Sequence, residues 1–377
     1  MRAGRIDELD GLRALAVLAV IAFHYTLGNA LANPVTRMGW VGVELFFVLS
    51  GYLITGILLG TRERAGYFST FYARRTLRIF PIYYLLLAVY ALSARIWGGP
   101  QPWLYWGMHA TYLSSVVQYF HYWPLSAPQF VFGGLAVLWS LSIEELYYLV
   151  WAPVVRWVDP RRLGWILAVV VVAAPGLRWL IHNRGFTEYE FMPARLDSLA
   201  WGAALALWER ARGLGPVARW RRLALGVGAG LAVLIAFTGG RRASHGFATL
   251  GYTLIGVLFA ALLAWVLARA GTAAAACRML RSRPLRGLGK ISYAVYLVHY
   301  PVYMLVAAGL GAAVGAGVAG ASLRAGLSLA ATVAVAAASW RWLEAPILRF
   351  KDRWAPALGE KIEPARAGLR TGRVSAR

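Results

Sequence analysis

Apolar runs of about twenty residues recur along the whole chain, and no other feature constrains the fold as tightly. They lie at 11–31, 39–60, 79–97, 135–155, 163–182, 195–209, 223–238, 248–268, 291–311 and 323–343. A helix rising ~1.5 Å per residue needs ~20 such residues to cross a hydrocarbon core ~30 Å thick. The predicted fold class is therefore all-α, a polytopic membrane helix bundle of about ten transmembrane helices. Composition agrees: 59% of the 377 residues are hydrophobic and 15% are charged, where a soluble domain carries ~25% charged residues.

One further stretch, 103–122, is aromatic and apolar enough to span but contains His109 and Gln118. Charge decides how it is read. If it does not span, both termini and the loops "RWVDPRR", "ERARGLGPVARWRR" and "RAGTAAAACRMLRSRPLRGLGK" fall on one side with most of the 39 Lys and Arg residues. The positive-inside rule makes that side cytoplasmic. Residues 98–134 are then a long outer segment packed into the protein or lying at the interface. The formal net charge of +23 is accounted for in the same way, which removes the main reason to expect nucleic acid.

The single cysteine, Cys277, excludes an intramolecular disulfide, and no Cys/His cluster has zinc spacing. Asp7, Glu8 and Asp10 precede the first apolar run, unlike the basic start of a signal peptide, so a retained first helix is expected. Residues 1–350 are read as one membrane domain. Residues 351–377 are read as a basic, disordered cytoplasmic tail.

Ionisable residues inside spans are functional hypotheses by default, and here they cluster. Arg13 and His24 share the first span, eleven residues apart. At ~100° per residue that places them on one stripe, ~16 Å apart in height. The stripe could line a path from the cytoplasm to beyond mid-membrane. Alternatively, Arg13 is an interfacial anchor and His24 a packed histidine bonded to a carbonyl. Glu44, in "GWVGVELFFVLSGYLIT", lies at similar depth on the second span and could orient the imidazole as a carboxylate orients a base. The alternative partner for Glu44 is a Trp, Tyr or backbone group.

The segment "FYARRTLRIFP" brings Arg74, Arg75 and Arg78 to the mouth of the third span. Guanidinium forks there match phosphate oxygens, although ordinary positive-inside charge gives the same pattern. "LWSLSIEELYYLVWAP" carries Glu144 and Glu145 near mid-membrane, and Arg195, in "ARLDSLAWG", could pair with one of them. His299 lies near mid-depth in "KISYAVYLVHYPVYML", with Lys290 at its inner mouth. Glu344 could pair with Arg341 or Arg349, which reads as structural.

With these segments in order, the sequence resembles the acyltransferase-3 family of bacterial integral-membrane acyltransferases. The matching pieces are "LDGLRALAVLAVIAFH", "GWVGVELFFVLSGYLIT", "FYARRTLRIFP", "WSLSIEELYYLVWAP", "RLDSLAWG", "LGKISYAVYLVHYP" and "WRWLEAPILRF", which cover residues 9–350. The resemblance implies a ten-helix bundle in the bacterial inner membrane. It would move an acyl group, most often acetyl, from cytoplasmic acyl-CoA to a hydroxyl of a sugar or glycoconjugate at the outer side. Within the family pattern, Arg13 and His24 match the Arg-x10-His pair, with the histidine catalytic. Arg74, Arg75 and Arg78 match the motif expected near the CoA phosphates. Glu44 stands where the family more often has Asp. Many members also carry a secreted esterase-like domain that these 377 residues do not include, so a second transfer step would need a partner protein.

The predicted site thus has His24 and Glu44 as catalytic residues, and Arg13, Arg74, Arg75 and Arg78 at the acyl-CoA co-substrate. Glu144, Glu145, Arg195 and His299 are assigned to the acceptor glycan, and no metal is expected. His24 would act as a base on the acceptor hydroxyl or pass through an acyl-histidine. A transporter or flippase of a lipid-linked sugar is the rival class, because it too places carboxylates and histidines mid-membrane.

Overall fold

A computed structural model of the chain describes residues 6–96, 103–115, 134–185, 188–239, 242, 244–311 and 314–354. Regular structure among the described residues is helical throughout. The long helices are α1 (Asp7–Thr26), α2 (Val41–Thr61), α3 (Tyr67–Ile96), α4 (Leu138–Trp157), α5 (Pro160–Asn183), α6 (Leu196–Arg212), α7 (Val217–Thr238), α8 (Tyr252–Ala268), α9 (Ser292–Leu310) and α10 (Val318–Ser339). Nine helices among the described residues are long and apolar enough to cross a membrane. The remaining predicted span, 195–209, is α6, a 17-residue helix. The chain is a multi-pass membrane helix bundle.

Two local differences from the expected spans have physical causes. The third span was expected at 79–97, yet α3 begins at Tyr67 and runs for 30 residues. Its arginines interrupt the apolar run without breaking the helix, because arginine is a good helix former. In the segment 98–134, Trp103–Ala110 forms an eight-residue helix, which rises only ~12 Å. It is followed by Tyr112 at φ 58°. The rest of that segment, and the predicted tail from residue 355, lie outside the described residues.

The helices sort into central and peripheral ones. In α2, 67% of the spanning window is buried inside the protein, against 6% in α7. Large apolar side chains stand exposed on the peripheral helices, among them Trp165, Val172 and Phe237, as a surface facing hydrocarbon requires. The start of α1 is tied to the segment before α9: Arg286 pairs with Asp7 at 3.0 Å, and the Gly271 N–H donates to Glu8 at 2.9 Å. These carboxylates also sit favourably at the positive end of the α1 dipole.

The closest helix pair is α2 with α6, which run parallel. Gly51 lies against the Leu199 backbone, and Gly202 lies against the Val48 backbone. In a membrane, such small residues let backbones approach and gain dispersion energy where no hydrophobic effect separates helix from lipid. A Cβ at either position would overlap the facing backbone. Gly51→Leu should therefore destabilise the fold by about 1–3 kcal/mol or more. That is read as a lower melting temperature and folded yield in detergent. Gly56→Ala, which faces open space, should leave both unchanged.

Candidate active site

The predicted site residues form three groups along the bundle axis. The first surrounds His24, two residues from the end of α1. His24 Nδ1 lies 3.1 Å from the Val20 carbonyl and 3.1 Å from His299 Nε2. His299 is fully buried on α9, and its Nδ1 is 2.6 Å from the Tyr296 carbonyl. The Phe23 and Tyr300 rings flank His24, at 5.1 and 5.0 Å between centroids. The neighbouring Tyr25 hydroxyl donates to the His299 carbonyl at 3.0 Å and pairs with the Thr332 hydroxyl at 2.8 Å. One tyrosine thus joins α1, α9 and α10 beside the imidazoles. Sequence reasoning passed over Tyr25, although its position next to His24 was a signal. His24 forms no hydrogen bond through Nε2 to any described residue.

Glu44 does not meet His24, contrary to expectation. Its carboxylate pairs with Arg195 and accepts from the Ser198 hydroxyl at 2.6 Å; Glu44 and Arg195 are both fully buried. Helical phase and height are both causes. Gly39 and Gly42 face α1, where they lie against the Ala19 and Ala16 carbonyls. Two residues after Gly42, at ~100° each, a side chain points roughly the opposite way. Glu44 therefore joins Val48 and Gly51 on the stripe facing α6.

Arg195 in turn does not reach Glu144 or Glu145. Its guanidinium stacks on Tyr252 at 4.0 Å and lies 5.1 Å from the Tyr189 ring. Arg242 covers the same Tyr189 ring at 4.1 Å. Burial holds the Tyr189 hydroxyl well above its ordinary range, so it stays neutral there. A second closed pair supports this end of α6: Arg178 bonds Asp197 at 3.0 Å and the Ala194 carbonyl at 2.6 Å. Arg178 went unnoticed in the sequence, although a lone arginine late in an apolar run was the signal.

The third group lies towards the Arg-rich end. Arg75 stacks on the Tyr148 ring at 4.3 Å, and Tyr148 pairs with the Ser50 hydroxyl. Glu144 lies against Ser50 and Tyr148 beside Arg75, with Glu145 next to it. The length of α3 explains this meeting, since eight residues from its start raise Arg75 by ~12 Å, into the bundle. Arg78 neighbours Arg13 and Arg75. Arg13 approaches Asp10 at 3.3 Å. Arg74 is half-buried on the same turn as Arg75. Glu344 accepts from Ser339 at 3.0 Å and faces Arg78 rather than Arg341 or Arg349.

Arg78, Glu144, Glu145 and His24 share one property. Each keeps accessible surface: His24, Glu144 and Glu145 are half-buried and Arg78 is exposed. Glu44, Arg195, Arg178 and Asp197, by contrast, are sealed. Two cavities open at the ends. One, of about 310 Å³, is lined by Phe23, Thr26, Leu27, Asn29 and Arg37 beyond His24. The other, of about 500 Å³, is lined by Arg64, Tyr67, Phe68, Arg156 and Trp157 at the foot of α3. Among the described residues, no cluster of His, Cys, Asp and Glu could hold a metal ion. Removing one partner of the sealed pair, as in Glu44→Leu, should cost about 3–5 kcal/mol by stranding Arg195. It should be read in the melting temperature, and Glu44→Leu/Arg195→Leu together should recover much of the loss.

Comparison with known proteins places this geometry. Residues 6–341 match the profile of a family described as an acyltransferase domain. The chain is 30% identical over 324 residues to the peptidoglycan O-acetyltransferase OatA of Listeria monocytogenes, covering 80% of this chain and 50% of that protein. It is 29% identical over 330 residues to the O-acetyltransferase OatA of Staphylococcus aureus, covering 80% of this chain and 51% of that one. The chain thus spans about half the length of the curated relatives it matches. No solved structure matches significantly. With the profile matched from the start of α1 to the end of α10, the chain belongs to the acyltransferase-3 family of integral-membrane acyltransferases.

Proposed function

We propose that the protein is an acyl-CoA-dependent O-acyltransferase of the bacterial plasma membrane. In this reading it moves an acetyl group from CoA at the Arg-rich, cytoplasmic end to a hydroxyl of a sugar polymer at the opposite, outer end. One observation carries the reading: His24, part-buried, leaves Nε2 free of hydrogen bonds to any described residue and sits beside the cavity at the end of α1, on the helix that also carries Arg13. The acetyl group and the glycan acceptor are taken from what the relatives' names say of them.

The chain's own residues suit each step. Arg13, Arg75 and Arg78 can hold the phosphates of CoA, with Arg74 beside them, because guanidinium groups bind phosphate oxygens in pairs. The aromatic rings of Phe68 and Trp157, 5.4 Å apart, with Arg64 and Arg156 on the same cavity, suit a purine and its phosphate. Glu144 and Glu145, beside Arg75, belong to this donor side rather than to the acceptor. The thin, largely uncharged pantetheine arm would bring the thioester to His24. His24 Nε2 takes the proton from the acceptor hydroxyl. The oxygen attacks the thioester carbonyl, the ester C–O bond forms, and the C–S bond breaks. The thiolate leaves and recovers the proton from His24. Arg37 and Asn29, on the outer cavity, are placed to hydrogen-bond an arriving sugar.

Membranes containing the protein, given acetyl-CoA labelled in the acetyl group, should pass label to glycan with release of free CoA. A flippase would leave the label on CoA, and that result would overturn the reading. General base catalysis contributes about 10²–10⁴-fold, so His24→Ala should lower turnover by at least the lower figure with unchanged folded yield. Arg75→Ala should weaken acetyl-CoA binding about tenfold or more, as loss of a charged hydrogen bond of about 1.5–3 kcal/mol implies. Isothermal titration with CoA would measure it.

A further inference from the structure

The contacts of the two histidines leave little freedom in where their protons sit. A carbonyl oxygen only accepts, so the nitrogen 2.6 Å from the Tyr296 carbonyl, His299 Nδ1, must carry hydrogen. A neutral imidazole has one N–H, so His299 Nε2 is then a lone pair. That lone pair faces His24 Nδ1 at 3.1 Å. Two lone pairs do not face each other at that distance, so His24 Nδ1 must be the donor. The Val20 carbonyl, 3.1 Å from the same atom, demands the same proton independently. His24 Nε2 is left bare.

The alternative, a doubly protonated His299 donating to His24, fails on two counts. It would turn a lone pair of His24 towards the Val20 carbonyl. It would also seat a charge at a fully buried position, where no carboxylate touches either ring among the described residues, and an uncompensated buried charge is costly. The rings around the pair are Phe23, Tyr25, Tyr296 and Tyr300, with Tyr303 stacked on Tyr25, and the Arg242 charge acts on His24. The His299 ring is also held from behind. The Tyr296 hydroxyl pairs with Ser140 at 2.6 Å and donates to the Val137 carbonyl at 3.1 Å, which locks this turn of α9 to the start of α4.

We propose that His299 is a positioning residue for His24: it fixes the Nδ1–H tautomer, holds the ring in place and leaves Nε2 bare. This rests on the reading of His24 as the base. It replaces both the acceptor-binding role expected for His299 and the orienting role expected for Glu44. When His24 takes the acceptor proton on Nε2, its Nδ1–H becomes a charge-assisted donor to the neutral His299 ring. The Nδ1 proton stays where it is, and the Nε2 proton goes on to the departing sulfur. A neutral imidazole does here what a carboxylate does in many base–orienter pairs, without placing an anion at this depth.

The test uses the full chain in phosphatidylethanolamine/phosphatidylglycerol vesicles, with 15N-labelled histidine. Solid-state NMR should show His24 protonated at Nδ1 and bare at Nε2, with a 15N–15N correlation across the bond to His299 Nε2. A His24 protonated at Nε2, or no such correlation, would overturn the proposal whether or not activity is found. Kinetics with acetyl-CoA and un-cross-linked peptidoglycan form the second arm. His299→Leu should lower kcat by about 10²-fold and leave KM for acetyl-CoA within about twofold. His299→Gln, whose amide oxygen can accept from Nδ1–H, should recover about tenfold of that loss. Equal activity of the two variants, or a loss confined to KM, would count against the role. If His299→Leu fails to fold, the Gln variant and the NMR decide. A wild-type protein that transfers no acetyl group would instead refute the base reading, and the tautomer result would stand on its own.

Discussion

In hydrocarbon, a polar side chain can be satisfied only by the protein or by water that the protein admits. The bundle answers this constraint in two ways. Glu44 with Arg195, and Asp197 with Arg178, are sealed pairs whose hydrogen bonds run to neighbours on α5, α6 and α8. His24 and Glu144 are half-buried and Arg78 is exposed. A buried ion pair is poor evidence of net stabilisation, but it can fix register. The sealed pairs hold α6 against α2 at the depth where Gly51 and Gly202 allow contact.

Much of this was legible in the sequence because membrane insertion leaves strong marks. The spans followed from run length alone, and the coincidence of Arg13 and His24 on one stripe followed from helical period. What was not legible was azimuth. Counting residues from the turn put Glu44 level with His24, but Gly42 lies against Ala16 and Val20, so Glu44 sits about two turns away along α1 as well as on another face. The glycines at 39 and 42 held that information: they mark the face turned to α1, and Glu44 lies on the other. The pairings of Glu144 and of Arg195 failed for a related reason. Each was assigned by proximity along the membrane normal, and each depends on which helices are neighbours, a relation between distant parts of the chain.

The His24–His299 contact shows how the same constraint shapes chemistry. A base in an apolar region needs an acceptor for its second nitrogen. A carboxylate would serve, at the cost of another charge to satisfy. The chain supplies an imidazole whose own second nitrogen is taken by a main-chain carbonyl of the same helix. Among the described residues, every ring nitrogen of the pair but one then has a protein partner, and the exception is His24 Nε2.

The two rings are separated by 275 residues of chain. Ribosomes add roughly 5–20 residues per second, so α1 waits in the bilayer for about 14 to 55 seconds before α9 is made. During that interval its imidazole lacks the His299 contact. On the proposed reading, a partly synthesised chain would be chemically idle, unable to waste thioester by hydrolysis until one of its last transmembrane segments is made.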